Sequence, residues 1–170
     1  MSLNFVGSIS SNFPVLGESS CVKKGPAGQI AIFDIDGTLS QCGVFAKFLE
    51  SNPKDWAAWA EGLPHHALDR AVHRIYLSTR STHRIWIVTG RSSIHRDVTE
   101  KWLSQHGITY DQLIMRPEGN HEDDGTLKVD ILNALGVKDD VDFIFEDRDR
   151  VVRAYRNAGY KCFQVQRGDF

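Results

Sequence analysis

From Ile30 onward the chain alternates short apolar runs with longer stretches of mixed character. The runs are Ile30–Phe33, Ile85–Val88, Leu113–Met115, Phe143–Phe145 and Cys162–Val165, and each predicts a strand. Between them Ser93 to His106, Gly125 to Leu135 and Arg148 to Ala158 predict helices, the last two closed by Gly136 and Gly159 in the usual C-terminal position. Strands alternating with helices give the βαβ rhythm of a parallel sheet, and right-handed crossovers place the helices on both of its faces. The expected fold class is α/β, a doubly wound, Rossmann-like three-layer sandwich.

Two segments depart from that rhythm. Ser40 to Arg84 is longer than a crossover needs and holds two candidate helices, Lys54 to Glu61 and His65 to Thr79, separated by Gly62 and Pro64. The second is the crossover helix, which leaves a surplus at about 40–63 that predicts a small cap. Met1 to Gln29 is rich in Ser and Gly, with scattered apolar residues of no sustained period, and predicts an N-terminal arm, mobile or irregular. The expected organisation is an arm at 1–29 and one domain at 30–170 carrying the cap insert.

A chain of 170 residues with 41% apolar residues, 25% charged residues and a formal charge of -2 has the composition of a soluble globular domain. Net charge carries no nucleic-acid signature, although a local basic patch does not depend on the sum. Cys21, Cys42 and Cys162 are odd in number and widely spaced, which suits a reducing compartment. No apolar stretch approaches the roughly 18 residues of a membrane span, and no basic segment precedes an apolar one near the start. A cytoplasmic protein is expected, with no membrane partner.

Three of the apolar runs end in residues suited to phosphoryl transfer. Ile30–Phe33 is followed by Asp34-Ile35-Asp36-Gly37-Thr38, Ile85–Val88 by Thr89-Gly90-Arg91, and Phe143–Phe145 by Glu146-Asp147-Arg148. In an open parallel sheet the ligand crevice lies at the carboxyl ends of the strands, so the three clusters converge there. A phosphate ester repels nucleophiles through its anionic oxygens, and catalysis rests on positioning and charge neutralisation. Magnesium commonly takes one or two carboxylates together with a substrate phosphate oxygen, which suits Asp34 and Asp147. One of the paired aspartates can attack phosphorus while the other protonates the leaving oxygen. Gly37 admits the backbone to the phosphate, and Thr89 and the Gly90 amide offer it donors. Lys128, four residues after Asp124 on a helix, shares its face and supplies a cation. The seven histidines show no zinc-ligand spacing. Trp56 and Trp59, three apart, can stack on a base, but the core reading weighs more.

Asp34-Ile35-Asp36-Gly37-Thr38-Leu39, Thr89-Gly90-Arg91, Lys128 and Glu146-Asp147 resemble the four ordered motifs of haloacid dehalogenase-type phosphatases. A closer resemblance is to the 3'-phosphatase domain of phage polynucleotide kinase–phosphatase and its stand-alone relatives. It rests on Leu113-Ile114-Met115-Arg116-Pro117, on Asp124-x-x-x-Lys128, on the stretch from Phe145 to Gly159, and on Cys162-Phe163-Gln164-Val165 with Gly168-Asp169-Phe170. The resemblance implies Asp34 as nucleophile and Mg²⁺ ligand, and Asp36 as acid–base that also gives Mg²⁺ its backbone carbonyl. It implies Thr89 and Lys128 as phosphate binders, and a metal site completed by Asp147 with Glu146 beside it. Arg91, Arg116 and Asp124 are expected with Gly37 and Gly90 at the substrate. The family tends to carry an Arg in the loop after the first motif, where Ser40–Phe45 has none, and another where this chain has Glu122. No P-loop of a kinase half is present.

The leading expectation is a Mg²⁺-dependent hydrolase, working through an aspartyl-phosphate, that removes a 3'-phosphate from a polynucleotide end. Lys47, Arg70, Arg74, Arg80, Arg84, Arg91, Arg96 and Arg116 form the expected basic rim. Two alternatives stand beside it: a phosphatase of free nucleotides or other small phosphomonoesters, and a phosphate-binding scaffold without turnover. The sequence names no protein partner.

Overall fold

The computed structural model of the chain describes residues 29–45, 47–50 and 56–168. The expected arm, apart from Gln29, lies outside the described residues, as do Lys54 and Asp55 of the first expected cap helix. In chain order the strands are β1 (Ile30–Phe33), β2 (Ser40–Gln41), β3 (Ala67–Leu68), β4 (Arg84–Ser92), β5 (Gln112–Arg116), β6 (Val141–Arg148) and β7 (Cys162–Gly168). The helices are α1 (Lys47–Glu50), α2 (Trp56–Glu61), α3 (Arg70–Thr79), α4 (Arg96–Gln105), α5 (Asp124–Ala134) and α6 (Asp149–Asn157).

Five strands form one sheet in the order β5-β4-β1-β6-β7, with every pairing parallel. β1 is central and wholly buried, because successive side chains of a strand point to opposite faces and helices cover both. Ile30 and Ile32 pack into one cluster with Leu127 and Ile131 of α5 and Val151 and Tyr155 of α6. Ala31 and Phe33 pack into the other, with Val72 and Tyr76 of α3 and Trp102 and Leu103 of α4. The doubly wound three-layer sandwich expected from the apolar runs is the fold observed.

The crossover helix begins later than its periodicity suggests. Leu63–His65 is a 3₁₀ turn around Pro64, and Ala67–Leu68 pairs antiparallel with β2. α3 then starts at Arg70, because the Asp69 side chain accepts from the Ala71 and Val72 amides, each at 2.9 Å. Likewise Ser93–His95 is a 3₁₀ turn separate from α4, and β4 runs through Thr89, Gly90 and Arg91 to Ser92. Trp59 and Leu63 form a small cluster of their own with Phe45, Phe48 and Val98. Among the described residues no helix is long and apolar enough to cross a membrane.

Register sets the level of the site. Phe33 pairs with Ile87 and with Phe145, so Asp34 leaves the sheet beside Glu146 and one residue ahead of Thr89. Arg84 opens β4 and Arg80 caps the far end of α3, which puts both at the amino edge of the sheet. They do not reach the crevice, and of the expected basic rim Arg91 and Arg116 line it.

Candidate active site

The turn after β1 is tightly bonded. The Asp34 amide donates to the Phe145 carbonyl at 3.1 Å, Gly37 N–H to the Ser40 carbonyl at 2.8 Å, and Ser40 N–H to the Ile35 carbonyl at 2.7 Å. Gly37 has a φ of +88°, and a Cβ there would overlap the Asp147 carboxyl, so only glycine fits. The same turn thereby brings Asp147 against the backbone at Gly37, next to Asp36. From the other side β7 closes in: Gln166 donates to the Gly37 carbonyl at 2.7 Å, and Gln164 donates to the Asp147 carbonyl at 2.8 Å.

Asp34, Glu146 and Asp147 are all buried, with carboxylate oxygens within 4.8 Å of one another. Lys128 reaches across from α5, donating to Asp34 Oδ1 and Glu146 Oε2 at 2.8 Å each, and lies 3.5 Å from Asp124 Oδ2. Burial opposes the Lys128 charge, but Asp124, Asp34 and Glu146 hold it protonated, well above its ordinary range. One ammonium does not balance the acids. Burial pushes the Asp34 carboxyl up to about 8, repulsion from Glu146 adds to the rise, and Lys128 opposes it. Burial, Asp34 and Glu146 push Asp147 up to about 9. Glu146 Oε1 accepts from the Asp147 and Arg148 amides at 3.2 Å each, while Asp147 Oδ2 is buried without a hydrogen-bond partner. Hard oxygen donors, surplus negative charge and an orphaned carboxylate oxygen fit a divalent cation such as Mg²⁺.

Asp36 has a different environment. Arg91 donates to both of its oxygens at 2.7 Å, Ser40 Oγ donates at 3.1 Å, and His66 Nδ1 lies 3.3 Å away. Burial alone would raise this carboxyl, yet Arg91 and His66 hold it far below the usual carboxylate range. Arg91 also donates to Thr99 Oγ1 at 3.3 Å. The sequence placed Arg91 at the substrate, and the structure gives its guanidinium to Asp36. Arg116 is similarly committed: it donates to the Gly90 carbonyl at 3.2 Å, Asn120 Oδ1 at 3.1 Å, the Glu122 carbonyl at 2.8 Å and Asp124 Oδ1 at 2.8 Å. Asp124 is buried and gathers Arg116, Lys128 and Arg148. A Cβ on Gly90 would stand 2.6 Å from Asp124 Oδ1, so this glycine lets the α5 start close on β4.

A cavity of about 570 Å³ opens above these residues, lined by Asp34, Asp36, Thr89, Gly90, Arg91 and Lys128 on the chemical side. Of the sequence-predicted site residues, Arg116, Asp124 and Glu146 line it as well, and Gly37 and Asp147 pack against each other beside them. Four contributors went unsuspected. His66 stands 30 positions from Asp36, so no local spacing could reveal it; its place is held by Trp102 Nε1, which donates to the His66 carbonyl at 2.8 Å. Ser40, Gln164 and Gln166 are the others, and the period-two spacing of the glutamines on one edge strand was a readable sign. Cys42, Asp36 and His66 also lie within 4.8 Å of one another, but Arg91 already occupies both Asp36 oxygens.

The sheet order, the turn after the central strand and the lysine facing an acid pair are those of the haloacid dehalogenase-type phosphatases, and the fold has many solved counterparts. A haloacid dehalogenase-like hydrolase from Streptococcus pneumoniae superposes with a TM-score of 0.59 at 11% identity, over 81% of this chain and 84% of that one. D,D-heptose 1,7-bisphosphate phosphatase from B. bronchiseptica, in complex with magnesium and phosphate, gives 0.50 at 19% identity, over 80% of this chain and 79% of that one. More specifically, residues 28–170 match the family model of the polynucleotide kinase PNKP phosphatase domain, and the chain belongs to that family. In the Pnkp1/Rnl/Hen1 RNA repair complex a chain superposes with a TM-score of 0.68 at 26% identity, over 91% of this chain. The present chain spans about half that protein, 47% of its length.

Proposed function

We propose that this phosphatase hydrolyses a terminal 3'-phosphate on a polynucleotide, with Mg²⁺ and a covalent intermediate on Asp34. The observation that carries the chemistry is the Asp34–Lys128–Glu146 contact beside the orphaned Asp147 oxygen, at the floor of an open crevice. Family membership and the likeness to a chain of an RNA repair complex support the choice of substrate. Asp34 and Asp147 would hold Mg²⁺ with Glu146 beside them, and the Asp36 backbone carbonyl would complete the set. When bound, the cation neutralises phosphate charge and the surplus of buried acid.

An Asp34 oxygen attacks phosphorus as the bond to the sugar oxygen breaks, and that oxygen takes its proton from Asp36, which has taken one up from solvent on loosening its Arg91 contact. Thr89 Oγ1 and Lys128 Nζ hold the phosphoryl oxygens during transfer. Water then attacks the phosphorus of phospho-Asp34, Asp36 accepts the water proton, and inorganic phosphate departs. Arg91 keeps Asp36 ionised, which suits this second, basic step. Delivery of a proton to the leaving oxygen requires Asp36 to give up part of its Arg91 contact as substrate enters.

One observation favours small phosphomonoesters instead. Arg91 and Arg116, the two arginines expected at the substrate, are bonded to Asp36 and Asp124. The deciding measurement is phosphate release from a 3'-phosphorylated oligonucleotide, its 5'-phosphorylated counterpart and a 3'-mononucleotide, with and without Mg²⁺. The expected order puts the 3'-phosphorylated oligonucleotide first, with an advantage that shrinks as salt rises. Equal or better turnover of the mononucleotide at low salt assigns the enzyme to small phosphomonoesters.

A further inference from the structure

Among the cations that line the crevice, Lys128, Arg148 and Arg150 rise in exposure. Lys128 is 2% exposed. The side chain of Arg148 is 16% exposed, 3.5 Å from Asp124 Oδ2, and that of Arg150 is 45% exposed, 3.7 Å from Asp123 Oδ2. Arg148 and Arg150 line the same cavity as Asp34 and Thr89, although neither was expected in the basic rim. A charge-assisted hydrogen bond is roughly 2.7–2.9 Å long. The Arg150–Asp123 pair is therefore an ion pair without a hydrogen bond, and its guanidinium can turn to a phosphate at little cost. Its backbone is held in the first turn of α6.

The cavity lining also has apolar members: Trp59, Ile94 and Pro117. Ile94, in the 3₁₀ turn after β4, lines the cavity at 60% exposure, the highest among the described large apolar side chains. Lone exposed apolar residues are ordinary on a surface, but this one stands within a crevice beside a phosphoryl-transfer centre. A sugar–base unit has an apolar face of the kind that covers such a side chain.

We propose that the crevice is a track for more than one nucleotide: Ile94 receives the sugar–base unit that bears the terminal phosphate, and Arg150, with Arg148 beside it, receives the next phosphate of the backbone. The proposal rests on the polynucleotide reading above and names the residues that separate an oligonucleotide from a mononucleotide. A mononucleotide has no second phosphate and gains nothing from Arg150.

The test compares the parent protein with Arg150→Ala and Arg150→Lys. The substrates are a 3'-phosphorylated oligonucleotide, the same strand with an uncharged methylphosphonate at the linkage nearest the 3' end, and p-nitrophenyl phosphate. In Arg150→Ala the ratio of kcat/KM for the oligonucleotide to that for p-nitrophenyl phosphate should fall about tenfold, and the salt slope should drop by about 1. The neutral linkage should cost the parent a similar factor and cost Arg150→Ala little more, because both changes remove one contact. Arg150→Lys should retain most of the ratio. Fully additive losses, or an unchanged ratio in Arg150→Ala, overturn the track while leaving a preference for oligonucleotides intact. If the parent itself has no such preference, the polynucleotide reading fails first and the track falls with it.

Discussion

At the scale of the residue, two aspartates two positions apart have opposite surroundings, and that contrast assigns their work. Asp34 is buried among acids with one lysine, whereas Asp36 is gripped by a guanidinium. Groups pushed apart in this way divide acid and base duties. Asp34→Asn removes the nucleophile and weakens the metal site, so turnover should fall at least about a thousandfold. The metal-free variant should nevertheless melt no lower than the parent, because repulsion from Glu146 and Asp147 is relieved; substantial phosphate release by the folded variant would exclude Asp34 as nucleophile. Asp36→Asn is expected to behave differently with p-nitrophenyl phosphate, whose leaving group needs no proton. Rapid mixing should show a burst of p-nitrophenol followed by slow turnover, as phospho-Asp34 forms but lacks a base for its hydrolysis. A linear time course without a burst contradicts that role.

At the scale of the element, β7 does more than close the sheet. Its glutamines reach two different elements, Gln166 the turn at Gly37 and Gln164 the backbone of Asp147 at the end of β6, so one strand sets the distance between the nucleophile's turn and the late acids. Gln166→Leu should raise the Mg²⁺ concentration for half-maximal activity about tenfold, with little change in the Tm of the metal-free protein. An unaltered Mg²⁺ dependence would show that the turn holds itself. The strands and the motif residues at their ends were legible from the sequence, because apolar runs and short turns are local properties. What local pattern could not show is what lies across space. Pro64 and the β2–β3 pairing delay α3 to Arg70, where the cap at Asp69 was itself a readable mark. His66 joins Asp36 only through the fold, and the contacts of Arg91 with Asp36 and of Arg116 with Asp124 are likewise made across space.

At the scale of the whole molecule, the acid cluster makes stability depend on pH. Asp34 and Asp147 have ordinary values of 3.8 and rise to about 8 and about 9 in the fold. Between those limits the folded chain binds more protons than the unfolded one, so stability falls as pH rises. Asp36 acts in the opposite sense, but its contribution is lost only below its ordinary value of 3.8. In chelator the Tm should therefore decline from about pH 5 to about pH 8, and Mg²⁺ should flatten the decline by replacing the missing protons. A Tm that is level or rising over that range in chelator rules this out. Lys128 has a further consequence, for the order in which the protein assembles. It joins Asp34, 94 positions away, to Glu146, 18 positions away, through a helix that belongs to neither strand. Contacts of such separation form late, after the loops between them have closed. A chain that has collapsed and formed most of its helices still has no working centre, and enzymatic activity is regained only when β1, α5 and β6 have all docked.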